Sequence, residues 1–375
     1  MHTTKNLPPN LIPALIQAFQ MSSSSFSEIL NDLKPDLLIY DFFQPWAPKL
    51  ALSQGVPSVY FATSGATPFS FFYHLYKYGT NFPFPYPEIY LPDHEKVDVR
   101  APVEMVIKDA EDDDFAFGNF KLSSEIVLIK SLLGGADFEG KYIDYLSVLC
   151  QKKVVPTGPL VLDNSGDEKD EDEYYYYSEI SPWLSAKEQF STVFICFGSE
   201  HFLSGEQILE IAKGLELCEV NFLWAIRLDE NVFLPEGFSD RVKKRGLVLQ
   251  GWVPQAKILA HPSVGGFVSH CGWSSVMESL YFGVPVIAMP IKFDQPINAR
   301  LVAEAGCGVE VGRDENGRFI GEEVAKAIEK VVMEKSGEDM RFRAKSLSEK
   351  MKEEEEQAVD EVADQLLRLC KTNKS

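Results

Sequence analysis

The sequence predicts an α/β protein with two doubly wound, parallel sheets, and three observations carry that expectation. Short and almost wholly apolar runs recur along the chain, such as Thr192-Val193-Phe194-Ile195-Cys196-Phe197 and Val264 to Ser269. Strands covered on both faces of a parallel sheet look like this. Between these runs lie segments with apolar residues at helical spacing, which gives the strand–helix alternation of βαβ units. An acidic, aliphatic-poor stretch from Asp163 to Tyr177 splits the alternation in two, and 375 residues leave room for two domains. The expected division is 1–162, a linker 163–178, 179–350, and a returning helix 351–375, with the two sheets facing each other across a cleft.

In the first half, Leu11 to Leu33 has helical periodicity interrupted by serines, and Lys34-Pro35-Asp36 breaks it. Leu37-Leu38-Ile39-Tyr40 then reads as a strand ending at Asp41, and Pro45-Trp46-Ala47-Pro48 opens a helix, since proline suits a first turn. Val56 to Phe61 is the next strand, completing one βαβ unit. Asp41 sits where open α/β sheets place ligands, and it also reads as a turn or capping aspartate. Pro68 to Pro92 is rich in aromatics and proline and has two readings, an irregular cover for the core or an aromatic wall for a planar or glycosylated ligand. Asp109 to Asp114 is a solvated charge run. Ser124 to Lys130 is a strand, and Val154 to Val161 closes this half.

In the second half the strand ending at Phe197 runs into Gly198-Ser199, a turn where backbone amides can meet phosphate. Ile208 to Leu217 is a helix, and Phe222 to Ile226 and Leu247 to Leu249 are strands. Val264 to Ser269 is a strand, His270-Cys271-Gly272-Trp273 a turn, and Ser274 or Ser275 can cap the helix that follows. Ser275 and Glu278 have capping-box spacing, Gly283 fits the helix end, and Val284 to Met289 is the next strand. A helix N-terminus just beyond a parallel strand is a natural phosphate site, and His270 adds a donor there. Taken singly, Glu278 reads first as a capping residue and Trp252 and Trp273 as core aromatics, while His270 reads equally as a satisfied core histidine or as a ligand donor. Asp294 to Ala305, Gly321 to Val332 and Asp339 to Leu369 read as helices.

Composition excludes several classes. A net charge of -20 argues against nucleic acid or an anionic membrane as partner. Six cysteines without a C-x-x-C pair predict reduced thiols, a cytoplasmic protein and no structural zinc. The segment MHTTKNLPPN is polar and proline-bearing, so it is no signal peptide, and no apolar run is long enough to span a bilayer. A dinucleotide-binding oxidoreductase would need a G-x-G-x-x-G turn followed by an acidic residue, and the sequence has none.

The stretch WVPQAKILAHPSVGGFVSHCGWSSVMESLYFGVPVIAMPIKFDQ, Trp252 to Gln295, resembles the donor-binding signature of plant UDP-dependent glycosyltransferases over its whole length. The resemblance covers essentially the entire chain and implies the GT-B fold of two Rossmann-like domains. It implies that Trp252 stacks on uracil, with the Val253 backbone and the Gln255 side chain completing base and ribose contacts. It implies that His270, Gly272, Ser274 and Ser275 meet the diphosphate together with Ser199 of the matching F-G-S turn. Glu278 would hold the ribose hydroxyls, and Trp273, Asp294 and Gln295 would meet the sugar. Ser274 departs from the family's usual Asn, which predicts altered affinity because a hydroxyl donates only one hydrogen bond.

LKPDLLIYDFFQPWAP matches the family strand whose aspartate orients a general-base histidine, so Asp41 inherits that role. The histidine lies upstream in the family, and His2 does not match it. The chain therefore reads as a member whose first domain lacks its initial βα units, with poor solubility or inactivity expected. The reaction implied is inverting, metal-free transfer of a sugar from a UDP-sugar to an acceptor hydroxyl by a monomer. Gln295 points to UDP-glucose. NLPPNLIPALIQAF, EGKYIDYLS, FGSEHFLS and HCGWSS further resemble the branch that adds a sugar to one already on a plant product, such as a flavonoid or terpenoid glycoside. The competing expectation is a UDP-sugar-binding protein without catalysis.

Overall fold

A computed structural model describes residues 11–92, 117–133, 138–161, 176–198, 203–228 and 232–372. Two units emerge: one comprises Met1–Pro87, Val97–Leu160 and Glu353–Ser375, the other Glu88–Lys96 with Val161–Lys352.

In the first unit, helices α1 (Ile12–Gln20) and α2 (Ser23–Leu33) replace one long helix, with the break at Met21 and Ser22. Lys34 ends α2 in the left-handed conformation ahead of Pro35. Strand β1 (Leu38–Tyr40), helix α3 (Ala47–Ser53), strand β2 (Ser58–Ala62) and helix α4 (Ala66–Tyr78) follow. The prolines of α3 and α4 lie in first turns, where a missing N–H costs no hydrogen bond.

Helix α4 corrects the irregular alternative for Pro68 to Pro92, since most of its first half is a regular helix. Its aromatics divide between interior and surface, with Tyr78 exposed. Phe71, Tyr73 and His74 are buried, and Tyr73 stacks on Phe117 and packs against Phe120. Helix α5 (Gly118–Leu122), strand β3 (Ile126–Ile129), helix α6 (Gly140–Cys150) and strand β4 (Lys153–Pro156) complete this run. The four strands are parallel and lie in chain order, β1-β2-β3-β4. The loop expected at Asp109 to Asp114 lies outside the described residues, as does most of the acidic stretch. Its end enters a π-helical turn, Tyr176–Ile180.

In the second unit come helix α7 (Ser181–Ser185), strand β5 (Thr192–Cys196), helix α8 (Gly205–Leu217), strand β6 (Asn221–Ile226), helix α9 (Phe238–Val242) and strand β7 (Gly246–Gln250). Helix α10 (Gln255–Leu259), strand β8 (Val264–Ser269), helix α11 (Trp273–Tyr281), strand β9 (Val286–Ala288), helix α12 (Gln295–Glu304), strand β10 (Gly308–Glu310) and helix α13 (Gly321–Val332) continue it. The six parallel strands run in the order β10-β9-β8-β5-β6-β7. Growth goes outward from β5 through β6 and β7, then resumes on the other side with β8. The order therefore reverses between β5 and β8.

This sheet is buried on both faces. Val193, Ile195, Phe222 and Trp224 pack with helices α8 and α13 on one side, and Phe194, Leu223 and Phe267 with α10 on the other. Each such side chain contributes about 1.5–3 kcal/mol. The last helix, α14 (Lys335–Thr372), runs 38 residues. Its Val362, Leu366 and Leu369 pack on Val59, Phe61, Leu128 and Val155 of the first sheet, which is why an otherwise charged helix carries apolar residues there.

Candidate functional site

In a parallel sheet the crevice at the C-terminal strand ends opens widest where the strand order reverses. Here that point lies between β5 and β8, and the sequence places Phe197-Gly198 just past one and His270-Cys271-Gly272 just past the other. The two turns touch. A Cβ on Gly198 would lie 2.9 Å from His270 Cε1, and one on Gly272 would lie 2.6 Å from His270 Nε2. Gly198 also has φ +76°, which a side chain would strain. Two glycines thus form the slot that holds the imidazole.

The turn itself is under tension. Cys271 has φ +63°, a left-handed conformation that costs a residue with a Cβ about 1–2 kcal/mol. It is clamped at both ends: its N–H donates to Ser269 Oγ at 3.1 Å, and its carbonyl accepts from Asn298 Nδ2 at 3.0 Å. The result is that Gly272, not Ser274 or Ser275, is the N-cap of α11, and no side chain caps that terminus. The expected Ser275–Glu278 capping box is therefore not formed. Glu278 turns instead to Gln255, whose Nε2 donates to Glu278 Oε2 at 2.8 Å and lies 3.5 Å from Ser275 Oγ. A helix that starts just after a strand and leaves its first N–H groups without a side-chain cap presents about half a positive charge to an anion.

The other expected residues fall around the same strand ends. Trp252, past β7, is 59% exposed, so its indole offers a flat face to a planar ligand, while Val253 beside it is buried. The Trp273 indole is buried at the first position of α11, which leaves its backbone N–H as the group that position can offer. Asp294 and Gln295 lie at the start of α12, past β9. Gln295 Oε1 accepts the N–H groups of Ile291 and Lys292 at 3.0 and 2.9 Å, which aims its NH2 group as a donor. Ser199 lies outside the described residues.

Sequence reasoning missed two residues here. Arg227 closes the apolar run Phe222 to Ile226 and lines, with Gly198 and Gly251, a small cavity at the ends of β5, β6 and β7. Burial pushes its proton affinity down. A charged residue directly after a buried strand was the available signal. Asn298, fully buried on α12, gave none. Burial also pushes the Cys196 thiol up to about 11 and the Cys271 thiol well above its ordinary value, so both stay protonated at neutral pH and neither offers a thiolate nucleophile.

Asp41 belongs to the first unit, just past the end of β1. Its Oδ1 accepts the Phe43 N–H at 2.9 Å, the geometry of an Asx turn. His74 is engaged elsewhere: Nε2 faces the Phe82 carbonyl at 3.0 Å and Nδ1 the Tyr145 hydroxyl at 2.6 Å. A carbonyl can only accept, so Nε2 carries the proton and Nδ1 accepts from the tyrosine. Among the described residues no group of three or more His, Cys, Asp or Glu side chains could hold a metal ion, and no helix is long and apolar enough to cross a membrane.

A family profile described as UDP-glucoronosyl and UDP-glucosyl transferase matches residues 179–351. The chain is 48% identical to UDP-glucosyltransferase 29 of Panax ginseng over 376 residues, covering 100% of this chain and 82% of that protein. It is 44% identical to the β-D-glucosyl crocetin β-1,6-glucosyltransferase of Gardenia jasminoides, covering 98% and 83% respectively. The crystal structure of a UGT transferase from Siraitia grosvenorii in complex with UDP superposes with a TM-score of 0.79 at 26% identity, covering 94% of this chain and 88% of that one. Two Rossmann-like domains with parallel sheets are the GT-B arrangement of these enzymes. The chain belongs to the plant UDP-dependent glycosyltransferases, enzymes that move a sugar from a UDP-sugar to a small-molecule acceptor.

Proposed function

We propose that the chain transfers glucose from UDP-glucose, with inversion, to a hydroxyl of a plant glycoside. The observation that carries this is the meeting of the Gly198 and His270 turns at the reversal of strand order, beside the uncapped start of α11. Trp252 stacks on uracil, the Val253 backbone reads its edge, and the paired Gln255 and Glu278 take the ribose hydroxyls. His270 and the N–H groups at Gly272, Trp273, Ser274 and Ser275 hold the diphosphate, with Ser199 adding a donor from the β5 turn. Charge developing on the departing UDP is stabilised by that helix terminus and by Arg227, without solvent reorganisation. Asp294 and the NH2 group of Gln295 meet the sugar hydroxyls.

Residues 179–350 form the donor side in this scheme and 1–162 the acceptor side, with Asp41 orienting the base that deprotonates the acceptor. The name of the crocetin glucoside relative supports an acceptor that already carries a sugar. The six free cysteines support a reducing compartment such as the cytosol.

One observation favours a second reading, UDP-sugar binding without transfer. Among the described residues Asp41 makes no hydrogen bond to a histidine, and His74 is committed to Tyr145 and Phe82. Calorimetry with UDP followed by product analysis with UDP-glucose and a panel of glycosides separates the two. A β-linked product supports transfer. Tight UDP-glucose binding without product on any acceptor supports the second reading, and a chain that ignores UDP sinks both.

A further inference from the structure

Asn298 lies one turn after Asp294 on α12 and is fully buried. Its Nδ2 donates to two acceptors from different parts of the site, the Cys271 carbonyl and Asp294 Oδ2, each at 3.0 Å. An amide NH2 group has two protons, so both are used. The orientation of the amide is forced, since the reversed rotamer would set its oxygen against a carbonyl and a carboxylate. In the arrangement adopted, Asn298 Oδ1 is buried without a hydrogen-bond partner among the described residues. A buried acceptor left without a donor is destabilising, so this position keeps a double donor at a cost. Leucine, of similar size, would avoid that cost and lose both contacts.

From this geometry we infer that Asn298 is a positioning residue that couples the two halves of the donor site. One of its protons holds the left-handed Cys271 turn that aims His270 and the start of α11. The other holds the Asp294 carboxylate at the sugar. The inference rests on the donor reading given above. It adds that the diphosphate turn and the sugar contact share a single buried clamp.

The test is calorimetric binding of UDP and of UDP-glucose to the wild-type chain, Asp294→Ala, Asn298→Ala and the double variant. This readout needs no turnover. Asp294→Ala is expected to leave UDP affinity within about twofold and to remove the extra affinity that the glucosyl group gives. Asn298→Ala is expected to weaken UDP about tenfold by releasing the turn, and to remove the glucosyl increment as well. In the double variant the loss of that increment should be no larger than in Asp294→Ala alone, because both act through one carboxylate.

Unchanged UDP affinity in Asn298→Ala, or glucosyl losses that multiply in the double variant, overturns the inference and leaves the donor site standing. A wild-type chain that binds no UDP overturns both. Should Asn298→Ala fail to fold, Asn298→Ser carries the test. One hydroxyl proton cannot serve two acceptors, so at least one readout must fall by about threefold or more.

Discussion

Helices α4 and α11 begin at the same kind of place, just past the C-terminal end of a parallel strand, yet their N-termini are treated oppositely. At α4 the site is filled by the protein. Glu139 is fully buried, and its Oε1 accepts the Thr67 N–H and hydroxyl, both at 2.8 Å, while its Oε2 accepts the Ser131 hydroxyl at 2.6 Å. The Ala66 N–H adds a further bond. At α11 the N-cap is a glycine and no side chain caps the terminus. A helix terminus attracts an anion in both cases. What separates a structural terminus from a ligand site is whether the fold supplies that anion, and here the difference follows the sheets. The first has its described strands in chain order, while the second reverses between β5 and β8 and opens its crevice at α11.

The largest test of this contrast is removal of the resident anion. Glu139→Ala leaves two buried helix N–H groups and two hydroxyls without their acceptor, and should cost about 3 kcal/mol of stability in denaturant unfolding. UDP affinity should not change, because the carboxylate serves the other sheet. A Glu139→Ala chain of unchanged stability that loses UDP would reverse the assignment of the two termini. Glu139→Gln keeps one oxygen for the helix and should be far milder.

The same residue gives a pH dependence with a definite sign. Burial pushes the Glu139 carboxyl above its ordinary 4.5, against the donors of Ser131, Thr67 and Ala66. Because the folded value is the higher one, the folded state holds its proton longer. This group's contribution is complete below the unfolded value and declines as pH rises through the folded value. Glu139→Gln cannot titrate, so the stability difference between the two chains should move in favour of glutamine as pH climbs from 4.5. A pH-independent difference would mean that burial and the four donors cancel, leaving the carboxyl with the same proton affinity in the folded and unfolded chains.

The next test acts on the open terminus. Gly198→Ala adds a Cβ 2.9 Å from the His270 ring on a backbone with φ +76°, and the ring must move. Displacing a donor by an ångström or so costs about a hundredfold in kcat/KM, and UDP affinity should fall with it. Glu139→Ala and Gly198→Ala therefore predict opposite pairings of stability and binding. Equal UDP affinity in Gly198→Ala and wild type would show that His270 is not part of the anion site.

How much of this contrast the sequence carries differs between the two termini. Val264 to Ser269 was legible to the residue, because six buried apolar and small residues in a row admit few alternatives. The position of His270 past its end followed. Its packing against Gly198 did not, since that contact joins turns 72 residues apart in the chain and depends on β5 and β8 pairing directly. Glu139 was invisible for the same reason, as its partners Thr67 and Ser131 meet it only in three dimensions. The S-x-x-E spacing at Ser275 misled because a capping box needs the serine at the N-cap, and the strained Cys271 turn starts α11 earlier. Strand β10 is three residues long and alternates weakly, so periodicity gave it no signal.

The smallest effect belongs to a third terminus that shares the donor sheet but follows the rule of α4. Helix α8 comes after β5 and carries a complete capping box, with Ser204 Oγ accepting the Gln207 N–H at 3.2 Å and Gln207 Oε1 accepting the Ser204 N–H at 2.9 Å. Acceptors for its N-terminal N–H groups are thus supplied locally by exposed side chains. Ser204→Ala should lose about 1 kcal/mol of stability. It should leave UDP affinity unchanged, because a terminus already capped has little to offer a phosphate. A larger fall in UDP affinity than in stability would place this terminus in the donor site beside α11, and the resident cap would then be a group that gives way when the nucleotide arrives.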